Sequence, residues 1–147
     1  RVADHGMAVF HLTQYLAQAV ADGNLELKTK NQQPVTYHDP CRLGRYLDIY
    51  DEPRLLMAAL GLDLREMERV RSASLCCGTT GWTSCGQVSK NIQIERLQEA
   101  SQTGASRMIT ACIKCQIHFR CAQQDQQLED KLNFEIQDLT TLIANYL

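Results

Sequence analysis

Cysteine is the residue type through which this chain could do chemistry. There are seven among its 147 residues, and five fall into a pattern. Leu75-Cys76-Cys77-Gly78 holds two adjacent thiols. Cys41 lies thirty-five positions before Cys76, and Cys112 lies thirty-five positions after Cys77, where it opens Cys112-Ile113-Lys114-Cys115. Adjacent cysteines do not readily bond to each other, because a disulfide needs a wider separation of the two α-carbons than neighbours in sequence comfortably give. Both can instead reach one metal centre, or two irons of one cluster. The glycine that follows lets the backbone turn tightly and approach a bulky inorganic group.

A lone C-x-x-C is weak evidence, since it fits a redox dithiol, half a zinc site or chance. Five cysteines on one site say more. Tetrahedral zinc takes four thiolates and a cubane iron–sulfur cluster also takes four, so a fifth is surplus to either. Ligand arithmetic therefore favours a multi-iron assembly with an additional or bridging thiolate over a single zinc. A disulfide framework fits poorly with an odd cysteine number, helical periodicity and an adjacent pair; in a reducing compartment the same richness points to metal or redox chemistry. Cys85 is close enough in sequence to act as a spare ligand or redox thiol. Cys121 reads as a helix cysteine packed as a small apolar group. His38 is either a hydrogen-bond donor to a thiolate or an ordinary strand residue, and Trp82 is either a cover that shields the site from solvent or an ordinary packed aromatic. His5 and His11 show no ligand spacing with a cysteine and read as surface or helix-packing residues.

The elements that must position these residues alternate between strand and helix. Apolar residues at helical spacing predict a helix over 4–21, closed near Gly23. Leu25-Glu26-Leu27-Lys28 alternates and predicts a short edge strand or hairpin arm. Val35-Thr36-Tyr37-His38 predicts a strand that Pro40 stops, so Cys41 falls at its carboxyl end, ahead of a helix over 43–50. Pro53 suits the first turn of a further helix, 54–60, with Gly61 as its stop. The stretch carrying Leu64, Met67 and Val70 reads as strand-like. Residues 87–103 predict the clearest helix, with Ile92, Ile94, Leu97 and Ala100 on its apolar face and Gly104 at its end. Residues 108–111 predict a buried strand, again with a cysteine, Cys112, at its carboxyl end. Residues 113–123 predict a helix that sets Cys115 one turn from Cys112. Residues 134–136 predict a last strand, and Asp138 caps a final helix carrying Leu139, Leu142, Ile143 and Tyr146. The expected fold is α/β: a mainly parallel sheet flanked by helices, with the cysteines at the carboxyl edge of its strands.

The length fits one domain, 1–147, and the 44% hydrophobic fraction is enough for a core. A formal charge of −2 gives no electrostatic reason to expect nucleic acid. No apolar run approaches the roughly eighteen residues that a membrane span needs, and no signal-peptide pattern is present. The expected location is the cytoplasm, with any membrane association made through partner subunits. The sequence opens at Arg1, inside a predicted helix, and reads as a piece cut from a longer chain.

A combination of motifs carries a resemblance. His38-Asp39-Pro40-Cys41-Arg42-Leu43-Gly44-Arg45-Tyr46, Ile49-Tyr50-Asp51-Glu52-Pro53-Arg54, Met67-Glu68-Arg69, Ser74-Leu75-Cys76-Cys77-Gly78 and Thr110-Ala111-Cys112 with Cys115 resemble the cysteine-rich CCG domain. That domain occurs in the heterodisulfide reductase B/D family, in iron–sulfur subunits of glycolate, lactate and glycerol-3-phosphate oxidoreductases, and in some succinate dehydrogenases. The resemblance covers roughly residues 35–122. It implies tandem domains, of which this chain looks like the carboxyl-terminal copy, with a second CCG domain and other redox subunits as partners. It also implies a 4Fe–4S centre of non-cubane form, with Cys41, Cys76, Cys77, Cys112 and Cys115 as ligands and a disulfide as substrate; in some relatives one copy holds zinc or only relays electrons. After Gly78 the sequence departs from the family's glycine-rich run, reading Thr79-Thr80-Gly81-Trp82-Thr83-Ser84-Cys85.

Three functions follow as expectations. The leading one is an iron–sulfur domain of a multi-subunit oxidoreductase, in electron transfer or disulfide reduction. The others are a zinc-stabilised structural or docking domain without redox turnover, and a metal-free dithiol–disulfide oxidoreductase using Cys112 and Cys115. A sample handled in air is expected to lose its metal and to carry an empty or partly disulfide-linked site.

Overall fold

The computed structural model describes residues 6, 8–28, 33–79, 86–124, 132 and 134–147. Trp82, Cys85 and His5 lie outside them. Four strands form one sheet: β1 (Pro34–His38), β2 (Asp63–Leu64), β3 (Arg107–Thr110) and β4 (Glu135–Asp138). The order is β2-β1-β3-β4 and every pairing is parallel. Among the described residues six α-helices flank the sheet: α1 (Leu12–Ala21), α2 (Gly44–Leu47), α3 (Asp51–Ala59), α4 (Gln87–Gln102), α5 (Ile113–Gln123) and α6 (Leu139–Ala144).

The sheet separates two apolar cores. On one side Val35 and Tyr37 of β1 and Ile109 of β3 pack against Ala17 of α1, Leu56 and Met57 of α3, and Leu139, Leu142 and Ile143 of α6. On the other, Met108 of β3 and Ile136 of β4 pack against Leu97 and Ala100 of α4 and Phe119 and Ala122 of α5, with Cys77 and Cys115 in the same cluster. The period-two alternation of a strand buried on both faces produces this division. It also turns His38 toward the side of α4 and α5, where its ring meets Phe119 edge-on at 4.8 Å.

The topology dictates where a site can form. From β1 the chain crosses to β2 on one flank, whereas from β3 it proceeds to β4 on the other. The carboxyl ends of β1 and β3 are neighbours, with His38 opposite Thr110. Connections that leave adjacent strands in opposite directions open a crevice between them, and ligands of open α/β sheets bind there.

Several expected elements differ from those observed. Helix α1 starts at Leu12 rather than near residue 4, because His11 caps it: His11 Nδ1 accepts from Thr13 N at 3.3 Å, and Gln14 Oε1 accepts from His11 N at 3.1 Å. Residues 25–28 form no strand; Leu25 N donates back to Ala19 O and Lys28 N to Tyr146 O. The helix expected over 43–50 is one turn, since Asp48 takes a left-handed conformation with φ 57° and ends α2. Helix α3 then begins at Asp51, with Pro53 in its first turn. Only Asp63–Leu64 of the strand-like stretch pairs with the sheet. Helices α4 and α5, strand β3 and the Asp138 cap of α6 fall within a residue of expectation.

Candidate metal centre

Two chain segments deliver cysteines to the crevice from the sheet. Cys41 follows β1 after Asp39 and Pro40, and Cys112 follows β3 after Ala111. Cys112 is the N-cap residue of α5, so Cys115 sits in the first turn of that helix. The third segment, 74–79, enters from the side and is held by a layer of buried polar groups. The side chain of Asp39 accepts a two-pronged pair from Arg54, Nη1 at 2.8 Å and Nη2 at 2.9 Å, and also the backbone N–H of Arg71 at 2.8 Å. Burial by itself would lower the Arg54 pKa, but its bonds to Asp39 and Glu66 outweigh burial and raise it. Arg45 donates to the carbonyls of Ser72 and Ser74.

Gly78 shows why the cysteine pair is followed by glycine. Its φ is +77°, and a Cβ there would lie 2.5 Å from the Ser89 carbonyl oxygen and 2.9 Å from Cγ of Gln93. The turn therefore rests directly on α4, with no room for a side chain. The inward face of α4 is more polar than its apolar periodicity suggests, for Ser89, Gln93, Arg96 and Glu99 are buried there with Leu97 and Ala100.

Pro40, Cys41, Arg42, Cys76, Cys77, Thr79, Cys112, Ile113, Lys114 and Cys115 line one cavity of about 260 Å³. All five cysteines of the sequence pattern reach it, and no described carboxylate does. The sulfurs of Cys77 and Cys115 also group with a ring nitrogen of His38, which is not one of the cavity's lining residues; the three lie within 4.8 Å of one another and all are buried. The thiols polarise one another. Hydrogen bonds from Cys115 and Cys76 push Cys77 far toward the thiolate, helped by His38 and by Thr79, whose hydroxyl lies 3.1 Å from the sulfur. Cys112 is lowered to about 6, first by the Cys115 thiol and then by the backbone N–H groups of Cys115 and Lys114 at the start of α5. Donating to these anions raises Cys76, through Cys77, and Cys115, through Cys112 and Cys77. Sulfurs of this kind, gathered with no described carboxylate beside them, select soft metals: zinc, copper(I) or iron–sulfur clusters. Several thiolates so close together need positive charge between them, which metal ions supply. The residues present fit an iron–sulfur centre.

Cys121 does not belong to this group and is not packed as expected. It is exposed on the far part of α5, since six positions from Cys115 the helix has turned that residue outward. Sequence reasoning also missed Arg96. This guanidinium is 0% exposed and pairs with Glu99 at 2.8 Å. It donates to the Arg69 carbonyl at 2.9 Å, to Ser74 Oγ at 3.0 Å and to His38 Nδ1 at 3.2 Å. Arginine on a helix otherwise patterned for solvent gives no signal that it points inward.

Comparison with known proteins bears on the same segments. The CCG cysteine-rich domain matches residues 35–120. The chain is 36% identical over 114 residues to a probable membrane-anchored ferredoxin of Chromohalobacter salexigens, a match covering 76% of this chain and 17% of that protein. It is 31% identical over 140 residues to a probable iron–sulfur-binding oxidoreductase of Bacillus subtilis, covering 92% and 19% of the two chains. It is 28% identical over 142 residues to a subunit of the dihydromethanophenazine:CoB–CoM heterodisulfide reductase of Methanosarcina acetivorans, covering 95% and 34%. The chain thus spans about a third or less of the length of these relatives. Among the described residues no helix is long and apolar enough to cross a membrane.

Proposed function

The chain belongs to the CCG cysteine-rich domain family, and from that premise we propose that it is the iron–sulfur domain of a multi-subunit oxidoreductase, passing electrons to or from a disulfide or quinone-linked acceptor. The single observation that carries the reading is the convergence of all five cysteines on one cavity that no described carboxylate lines. Cys41, Cys76, Cys77, Cys112 and Cys115 are its ligands, and the centre is a 4Fe–4S cluster of non-cubane form. Bound there, the cluster supplies one-electron chemistry and an iron able to meet a sulfur substrate. Cys85 lies outside the described residues, so its part as a spare ligand remains a proposal from sequence alone.

The chain's own residues prepare the site. Asp39 and Arg54 fix the approach of the 71–77 segment to the end of β1. Gly78 lets the cysteine pair lie against α4. The first turn of α5 presents two backbone N–H groups to Cys112 and so favours its ionised, metal-binding form. Arg42 and Lys114 place positive charge on the wall of the cavity.

The relatives' names support the wider assignment. One names an iron–sulfur-binding oxidoreductase, one a subunit of a heterodisulfide reductase, and another an EtfAB:quinone oxidoreductase. We propose accordingly that this is a single CCG domain, the carboxyl-terminal copy of a longer chain, acting with a second CCG domain and further redox subunits. A zinc-binding structural domain is the second reading, favoured by the grouping of His38 with Cys77 and Cys115, since mixed imidazole and thiolate sets are typical of zinc. Anaerobic reconstitution separates the two. The proposal predicts a brown protein that retains iron together with acid-labile sulfide. A colourless protein holding stoichiometric zinc, and refusing iron and sulfide, would replace it with the second reading.

A further inference from the structure

We propose that Arg96 is a positioning residue that holds the His38 imidazole in the Nε2–H tautomer, which excludes His38 from the metal ligands and makes it an N–H donor to the Cys77 sulfur. This deepens the iron–sulfur reading and rests on it only for the effect on the bound centre.

Three observations carry the inference. Arg96 Nε–H donates to His38 Nδ1 at 3.2 Å, with both side chains fully buried. An arginine has donors only and no acceptor, so the Nδ1 that faces it must offer a lone pair and cannot hold the proton. The guanidinium has no freedom to turn away. Its other nitrogens are engaged by Glu99 at 2.8 Å, the Arg69 carbonyl at 2.9 Å and Ser74 Oγ at 3.0 Å. The second observation concerns the opposite side of the ring. His38 Nε2 is buried and makes no hydrogen bond of normal geometry, a costly state for a polar atom. The third is what lies there. With Nδ1 occupied by Arg96, Nε2 is the ring nitrogen that closes the group with the Cys77 and Cys115 sulfurs, within 4.8 Å.

The three fit together in one protonation pattern. A neutral imidazole carries one ring proton. The Arg96 N–H that faces Nδ1 excludes a proton there, and so excludes the doubly protonated ring as well. Nδ1 accepts, so the proton sits on Nε2 and points at sulfur. Of the two sulfurs grouped with the ring, that of Cys77 is the one in hydrogen-bonding contact with His38, and it is the acceptor. For His38 to bind metal through Nε2 instead, the proton would have to move to Nδ1, where it would oppose the Arg96 N–H. The arginine thus turns a residue grouped like a zinc ligand into a donor. In the loaded site, an N–H directed at a ligand sulfur withdraws charge from it and raises the reduction potential.

The metal-free, reduced domain gives the first test. Long-range proton–nitrogen correlation spectra of histidine-labelled protein read the tautomer directly. The expected result is His38 as the Nε2–H form in the parent chain, and a shift toward Nδ1–H or a mixture in Arg96→Lys, which keeps the charge near Glu99 but loses the fixed Nε–H. Nδ1–H in the parent overturns the proposal, and needs no variant to fold. An unchanged Nε2–H form in a folded Arg96→Lys removes Arg96 as the cause. The second test is the midpoint potential of the reconstituted domain, which should fall in Arg96→Lys; an equal potential in both overturns the tuning of the centre. Should the parent take up no iron at all, the iron–sulfur reading fails while the tautomer result stands, so the two failures are told apart.

Discussion

Replacing Gly78 by alanine is the perturbation whose cost follows most directly from the geometry. Two separate penalties apply. The residue has φ +77°, a left-handed conformation that costs an alanine about 1–2 kcal/mol. The new methyl group would also meet the Ser89 carbonyl oxygen at 2.5 Å and Gln93 Cγ at 2.9 Å. The first of these is helix backbone and does not rotate away, so overpacking adds about 1–3 kcal/mol. Together they predict a loss of about 2–5 kcal/mol, or about 5–15 °C in melting temperature for a domain of this size. Gly23→Ala is the control, because its φ is +72° but nothing lies within 4 Å of the added atom. It should show the conformational cost alone, about 1–2 kcal/mol. Thermal unfolding of the metal-free reduced proteins, followed by circular dichroism, measures both. Gly78→Ala should also load less iron on reconstitution, because lifting the turn off α4 moves Cys76 and Cys77. If Gly78→Ala melts with Gly23→Ala, the close approach of the cysteine turn to α4 is wrong, and so is the reason given for the glycine.

Arg54→Ala leaves the Asp39 carboxylate buried without its guanidinium, and urea unfolding should show a loss of about 3–5 kcal/mol; a loss below about 1 kcal/mol would mean that the carboxylate does not organise the site. Cys112, lowered to about 6, should be the thiol of the metal-free reduced domain whose alkylation rises to half its plateau near pH 6, against about 8.5 for an ordinary cysteine; its rate falls as the pH drops through 6 and the thiolate is protonated, and a half-point above 8 refutes the arrangement at the start of α5. Cys121→Ala, altering an exposed residue outside the cavity, should leave iron and sulfide content unchanged on reconstitution.

Much of this architecture is legible in the sequence because strand and helix punctuate it with strong local signals. Val35 to His38 is β-branched and aromatic, Pro40 stops it, and Cys41 is placed at once at a strand's carboxyl end. Gly104 and the run into Cys112 do the same for β3, so the shared edge of the cysteines can be read from local pattern alone. What resists reading is local structure set by distant contacts. Nothing in Leu43 to Tyr50 announces that Asp48 turns left-handed and cuts the helix to a single turn. The strand expected at 25–28 fails because the backbone N–H of Lys28 goes to the chain's last turn instead. Polar residues on α4 look like a solvated face, yet Arg96 is wholly buried because Glu99, Ser74, the Arg69 carbonyl and His38 together satisfy it. Cys121 shows the reverse: a small thiol in a helix reads as buried, and its register turns it outward.

The central claim is that the five cysteines hold one iron–sulfur centre, and Cys77→Ala tests it most directly. Cys77 is buried at the junction of the cysteine turn, α5 and His38, and Cys76 would remain beside it. After anaerobic reconstitution, iron and acid-labile sulfide are measured and the electron paramagnetic resonance spectrum is compared with that of the parent. The account predicts that the variant still takes up iron and sulfide but as a different centre, with a changed spectrum. A parent-like spectrum would remove Cys77 from the ligands, and a parent that binds zinc alone, held equally well without Cys77, would contradict the claim outright.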